Sequence, residues 1–193
     1  MASVGHIAVG LAAARVNSGR LARLPSAGQM LFWSALSMLP DADVIGFPLG
    51  VRYADEWGHR GATHSLVFAA AVGIVAGLVA PRFHAPAFRT FLVATLVVAS
   101  HSLLDTLTDG GLGCALFWPF DQTRYFARWR PIPVAPIGLG YLSPYGLYVA
   151  CTELAVFSPL VWFALVARRS ASIETRALLV VAWVGATWLL LSR

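Results

Sequence analysis

Apolar residues fall into long runs, roughly Val4–Val16, Ala27–Gly46, Thr63–Ala80, Ala87–Leu107, Pro144–Ala167 and Thr175–Leu191, and the short intervals between them hold most of the charge. Such runs are apolar on every side, unlike the one-sided stripe of a soluble helix. A backbone in hydrocarbon must satisfy its own N–H and C=O groups, so the runs predict an all-α polytopic membrane bundle of about six transmembrane or membrane-embedded helices. The first run is the exception: its thirteen residues rise only about 20 Å, so it is expected to be half-inserted or to use its flanks to span. No basic residue precedes Ile7–Ala14 and no processing site follows it, so this run is expected to stay in the mature fold rather than leave as a signal peptide.

Asp109, Gly110, Gly111 and Gly113 should stop the fourth run near Thr108. The stretch that follows carries Trp118-Pro119-Phe120, Tyr125-Phe126, Trp129 and a series of prolines and glycines from Pro131 to Gly140. Residues 108–143 are therefore expected to be an interfacial loop on the membrane surface, within a single integral membrane domain of residues 1–193.

Composition agrees with the pattern: 58% of residues are hydrophobic, 12% are charged and the mean hydropathy is +0.70. The net charge of +5 and the pI near 9.9 suggest a nucleic-acid partner only until the positions are inspected. All 14 basic residues are arginines scattered between apolar runs, so membrane lipid is the expected partner and nucleic acid is not. Arg15, Arg20, Arg23, Arg82, Arg89, Arg168, Arg169 and Arg176 collect at one face with Glu174 as its single acid. The positive-inside rule makes that face cytoplasmic in a bacterial-type inner membrane. Arg52, Arg60, Arg124, Arg128, Arg130 and Arg193 lie on the opposite face among most of the acids, and that face is expected to be periplasmic. Cys114 and Cys151 have no metal-motif spacing and are expected to be inert thiols.

The ionisable groups in or beside apolar runs form four clusters: His6; Asp41 and Asp43 after Pro40; His59-Arg60-Gly61-Ala62-Thr63-His64-Ser65; and His101-Ser102-Leu103-Leu104-Asp105. Following the runs up and down places all four at one end of the bundle. His101 and Asp105 are four apart, so both lie on one face of a helix. Desolvated carboxylates need a partner, and a divalent cation is a natural one. Imidazole and carboxylate together suit zinc first, with manganese or iron as alternatives, and one or two ions. His6, Asp41, His64, His101 and Asp105 are the expected ligands, with His59 and Asp43 completing a second site or orienting the first. The plain structural alternatives are an ion pair of Arg60 with Asp43 or Asp105, and a proton or ion pathway. Glu153 falls nine residues after Pro144, about 14 Å into a helix starting there. An acid at that depth is a candidate general base or ligand. His84, on the arginine-rich face, is expected to be an ordinary loop residue.

In Gly5-His6, Leu39-Pro40-Asp41-Ala42-Asp43, the His59–Ser65 string, His101-Ser102-Leu103-Leu104-Asp105 and the following Trp118-Pro119-Phe120, the chain resembles the YdjM-like family of inner-membrane-associated metal-dependent hydrolases. The matching features cover roughly residues 5 to 120. The resemblance implies a small polytopic membrane protein with a hydrolase activity carried by these His and Asp residues. The same order is more loosely similar to the zinc-dependent phospholipase C pattern, whose later His-x-x-x-Glu has no counterpart here. The expected reaction is hydrolysis of a phosphoester on a lipid or lipid-linked substrate. Arg60, Arg124, Arg128 and Arg130 would hold the phosphate, Trp118 would sit at the headgroup level, and Asp43 or Glu153 would manage the proton. A membrane amidase or peptidase could use the same centre, and a metal-ion transporter or sensor is the rival from another class. Transport would need a polar path to the cytoplasmic face, and the runs Val67–Val79 and Phe91–Ala99 look apolar in that direction.

Overall fold

The computed structural model of the protein describes residues 3–18, 24–166, 180, 181, 183–185 and 187. Among the described residues five α-helices can be given bounds: α1 (Ser3–Asn17), α2 (Ala27–Ser37), α3 (Leu66–Val79), α4 (Ala87–Thr106) and α5 (Pro144–Leu165). Among the described residues there is no strand, only isolated bridges at Thr108–Ile132 and Cys114–Tyr125. The all-helical expectation holds, and the described residues account for part of the six expected runs as spans. Among the described residues three helical stretches are long and apolar enough to cross a membrane, Leu66–Phe83, Ala87–Thr106 and Pro144–Leu165. A fourth span arises only if α2 and the 3-10 segment Leu39–Leu49 count together.

Two of the expected runs differ from a single straight span for local reasons. Pro40 has no N–H to donate and restricts the residue before it, so α2 stops at Ser37 and the chain bends by 57° into the 3-10 segment. The first run forms a helix of 15 residues, about 22 Å long and short of the roughly 30 Å hydrocarbon core. The final run, Thr175–Leu191, lies mostly outside the described residues, as do Arg20, Arg23, Arg168, Arg169, Glu174, Arg176 and Arg193. Its Trp183 donates to the Val156 carbonyl of α5 at 2.9 Å.

Short as it is, α1 is the centre of the bundle and packs against α2, α4 and α5. Val4 N–H meets the Glu153 carboxylate, and Arg15 reaches the Ala164 carbonyl at 3.1 Å. Both pairs are 149 residues apart, so α1 and α5 run parallel in a fixed register. Arg15 is thus buried inside the bundle rather than standing in a loop, with its guanidinium also over the Phe163 ring. It still lies at the arginine-rich end, because Arg89 at the start of α4 bonds the Val16 carbonyl near the end of α1.

The opposite contact of α1 is made through Gly10. A Cβ there would lie 2.4 Å from the Ser34 Cα and 2.7 Å from the Trp33 carbonyl oxygen, so glycine is what lets α1 and α2 touch backbone to backbone. Trp33, Ala13, Ala14, Ala94 and Val97 fill the layer beside this crossing.

The segment 108–143 packs into the fold. Cys114, Ala115, Ile132 and Ala135 are buried, and the backbone pairs Ala115 N–H with the Arg60 carbonyl and the Leu116 carbonyl with Leu66 N–H. At its outer edge Phe120, Trp129, Leu139 and Leu142 are all exposed. Gly10→Ala should destabilise the detergent-solubilised protein by about 1–3 kcal/mol through overpacking. Gly28→Ala, where a Cβ meets nothing within 4 Å, should be neutral or slightly stabilising. Thermal unfolding of the two variants checks the α1–α2 crossing.

Candidate metal centre

The break at Pro40 shapes the site first. Asp41 N–H turns to the Met38 carbonyl at 3.1 Å, so the Ser37 carbonyl loses the partner it would have in a continued helix. That carbonyl instead accepts from His101 Nδ1 at 2.8 Å. With its proton on Nδ1, His101 presents a lone pair at Nε2.

His64 is fixed the same way from the other side. Ser65 caps α3, its hydroxyl accepting from Phe68 N–H at 3.0 Å, which leaves His64 on the 3-10 turn just before the helix. Its Nδ1 faces Asp43 Oδ2 at 3.2 Å, and a carboxylate only accepts, so the proton belongs on Nδ1 and the Nε2 lone pair points inward. His64 Nε2 lies 3.2 Å from His101 Nε2, 3.6 Å from Asp41 Oδ1 and 3.8 Å from Asp105 Oδ2. His101 Nε2 lies 3.3 Å from Asp41 Oδ1. Asp41, His64, His101 and Asp105 thus turn four lone-pair atoms toward one another within 4.8 Å, all on buried residues.

Asp43 serves a different purpose. Two residues on from Asp41 along a 3-10 segment, it points to another side. It is met by His59 Nδ1 at 2.7 Å, Arg60 N–H at 3.2 Å, the Thr63 hydroxyl at 2.8 Å and His64 Nδ1. Asp43, His59 and His64 form a second group with metal-ligand chemistry that shares His64 with the first. A separation of 2.7 Å is a hydrogen bond, shorter than the roughly 3.4 Å between neighbouring ligands of a tetrahedral ion with ~2.1 Å bonds.

His6 stacks on His101 with ring centroids 3.6 Å apart, and its Nε2 meets Asp105 Oδ1 at 3.3 Å. Arg60, in the left-handed region at φ 66°, is fully buried. Its Nε pairs with Asp105 Oδ2 at 2.9 Å, and its two terminal nitrogens donate to the Gly110 carbonyl at 2.8 Å and the Thr108 hydroxyl at 2.9 Å. The structural alternative of an Arg60 ion pair is therefore realised for Asp105, and it leaves Asp41 unserved. Both Asp41 oxygens are buried without a hydrogen-bond partner.

The charges decide what the centre lacks. Three buried carboxylates, Asp41, Asp43 and Asp105, face one buried guanidinium, so with neutral imidazoles the layer carries a net charge of about −2. Burial disfavours a proton on His64, but Asp41, Asp43 and Asp105 outweigh it and raise its pKa above the ordinary value. The layer attracts positive charge, and a divalent cation among the four lone pairs would neutralise it. The residues fit such an ion.

The remaining candidates lie elsewhere. Glu153 belongs to neither group; it is buried beside the start of α1, where Oε2 accepts from Val4 N–H at 2.7 Å and Gly5 N–H at 3.2 Å. Arg124 donates to the carbonyls of His59 at 2.8 Å, Asp55 at 2.9 Å and Tyr53 at 3.4 Å, so it fastens the aromatic segment to the loop that carries His59. Arg128 and Arg130 are exposed, the latter over the Phe126 ring. Trp118 donates to Glu56 and packs edge-on against Trp57 at the rim. His84 is exposed at the far end of α3. Burial pushes the Cys114 thiol up to about 12, in keeping with an inert cysteine. Sequence reasoning missed Ser37, which acts through its backbone and is signalled only by the proline three residues on. It also assigned no role to Thr63 or Thr108, two hydroxyls beside charged residues.

No solved structure matches the chain. The inner membrane protein YbcI of Escherichia coli (strain K12) is 48% identical over 121 residues, which cover 62% of this chain and 70% of that protein. The profile of the family described as YdjM inner membrane protein matches residues 1–192. With a match over nearly its full length, apolar helices long enough to span, and His and Asp clusters gathered in one buried layer, the chain belongs to the YdjM inner membrane protein family.

Proposed function

We propose that this protein is a membrane-embedded metal-dependent hydrolase acting on a phosphoester of a lipid or lipid-linked substrate. The observation that carries the reading is the Asp41, His64, His101 and Asp105 group, four inward lone pairs in a buried layer short of two positive charges. Zinc is the ion of choice, because imidazole and carboxylate suit it and the separations of 3.2, 3.3, 3.6 and 3.8 Å average near the roughly 3.4 Å edge of its tetrahedron. Bound there, a divalent cation would supply Lewis acidity and activate water for attack on phosphorus. Asp43 would orient His64 and His59, and Arg60 and His6 would hold Asp105.

The proton falls to His59. Asp43 is already met by four donors, whereas His59 gives its Nδ1 proton to Asp43 and has no hydrogen-bond partner at Nε2 among the described residues. Arg128 and Arg130, exposed beside Trp129, suit a lipid phosphate at headgroup level. The arginine-rich end would face the cytoplasm and the metal layer the periplasm.

One observation favours transport of a metal ion instead. The hydroxyls of Ser34 and Ser37 on α2 and of Thr90 and Thr95 on α4 are buried without partners, so these helices are less apolar than their runs suggest. Zinc uptake into proteoliposomes that carry the protein would favour that reading.

Metal analysis of detergent-purified protein tests the centre: His64→Ala and His101→Ala should lose most bound zinc, while His84→Ala keeps it. Equal occupancy in all three would refute the assignment. For orientation, single cysteines at Ala54 and Ala87 in a background lacking Cys114 and Cys151 should react with an impermeant reagent on intact spheroplasts at Ala54 only. The reverse labelling would invert the topology. For the substrate, Arg128→Lys and Arg130→Lys should lower turnover of a long-chain phospholipid or polyprenyl phosphate about tenfold, because lysine lacks the planar fork. Full activity in both variants would remove the phosphate clamp.

A further inference from the structure

Glu153 is a buried carboxylate that the proposed chemistry leaves unused, and its surroundings give it a task. It lies on α5, with Oε2 2.7 Å from Val4 N and 3.2 Å from Gly5 N. These are first-turn amides of α1, which have no partner within their own helix. A carboxylate is the strongest acceptor available for them and also sits well at the positive end of a helix dipole. The residue after Gly5 is His6, whose ring stacks on His101 and meets Asp105. At the far end, Arg15 bonds the Ala164 carbonyl with the same 149-residue offset, so the seam between α1 and α5 is pinned twice.

We infer that Glu153 is a positioning residue: it caps α1 from the neighbouring helix and sets the height and rotation of the first turn, so that His6 stands against Asp105 and His101. Its carboxylate works as a backbone acceptor rather than as a ligand or a base. The effect on the centre rests on the metal reading above, whereas the cap itself does not. Glutamine, which keeps one acceptor oxygen on the same reach, should replace Glu153; alanine should not. Val4→Pro supplies an independent variant. It deletes the 2.7 Å donor without touching Glu153, at a first-turn position where proline is tolerated.

Two measurements on the full-length protein in detergent test this. In the metal-free protein, hydrogen exchange at the Val4, Gly5 and His6 amides should accelerate at least about tenfold in Glu153→Ala and stay near wild type in Glu153→Gln. In Co(II) titrations, Glu153→Ala and Val4→Pro should weaken binding about 10–100-fold. Both should also shift the d–d spectrum toward that of His6→Ala, and adding His6→Ala to Glu153→Ala should cost nothing more. A role confined to stability would leave the spectrum of the folded protein unchanged. Wild-type exchange and spectrum in Glu153→Ala would overturn the inference. So would Glu153→Gln as impaired as Glu153→Ala, which would make the charge itself the functional part. Should Glu153→Ala fail to fold, Val4→Pro and Glu153→Gln decide in its place. If wild type binds no Co(II), the metal reading falls and the exchange measurement alone judges the cap.

Discussion

Three carboxylates taken out of water in one layer are the constraint on which the rest of this structure depends. Moving a carboxylate from water into a protein interior costs several kcal/mol even after relaxation, so each must be met by positive charge or N–H and O–H donors. Asp43 receives four donors, and Asp105 is held by Arg60 and His6. Asp41 receives none, only the edges of two imidazoles whose protons point elsewhere. Asp43 is fully met by donors and Asp105 by an ion pair, whereas Asp41 is left to the edges of two imidazoles, an arrangement that a cation would complete.

The parts of that arrangement come from breaks in helices as much as from helices. Only α4 supplies its pair, His101 and Asp105, by regular helical spacing. Asp41 is delivered by the bend after Pro40, the same bend that frees the Ser37 carbonyl to fix the His101 tautomer. His64 is delivered by the turn before the Ser65 cap, and His59 by a loop that Arg124 ties down through its carbonyl. Non-helical backbone at this depth is tolerable because the 108–143 segment pairs with it, as in the bonds of Ala115 to Arg60 and of Leu116 to Leu66.

The helical class, the end of the bundle at which the clusters meet and the pairing of His101 with Asp105 are legible in the sequence, since they follow from apolar runs and spacing. The break within the second run was not. Hydropathy reads Ala27–Gly46 as one run because a single proline hardly alters its mean, although it bends the chain by 57°. The individual arginines were also illegible. Their sidedness follows from composition, but whether a guanidinium meets a phosphate or a buried carbonyl depends on tertiary neighbours. Arg60 and Arg124 proved to be committed inside the protein, and Arg15 crosses to α5. Backbone acceptors such as Ser37 leave no mark of their own in side-chain chemistry.

The seam between α1 and α5 shows why so short a helix can carry a ligand-bearing layer. The two parallel helices end side by side, so their negative dipole ends lie together, whereas the positive end of α1 lies against the middle of α5. Here a carboxylate stands at the positive end of α1, and a guanidinium stands at the shared negative end, bonded to Ala164. The guanidinium opposes the repulsion at the negative ends, the carboxylate complements the positive end of α1, and together they fix the register. The face that α1 buries is made largely of small residues, Gly5, Ala8, Gly10, Ala13 and Ala14, which offer little side-chain relief against sliding or rotation. Sliding α1 by one residue would part both polar contacts from their partners and lift His6 away from His101. The register of α1 is therefore held by its polar ends, and the position of His6 in the layer follows from that register.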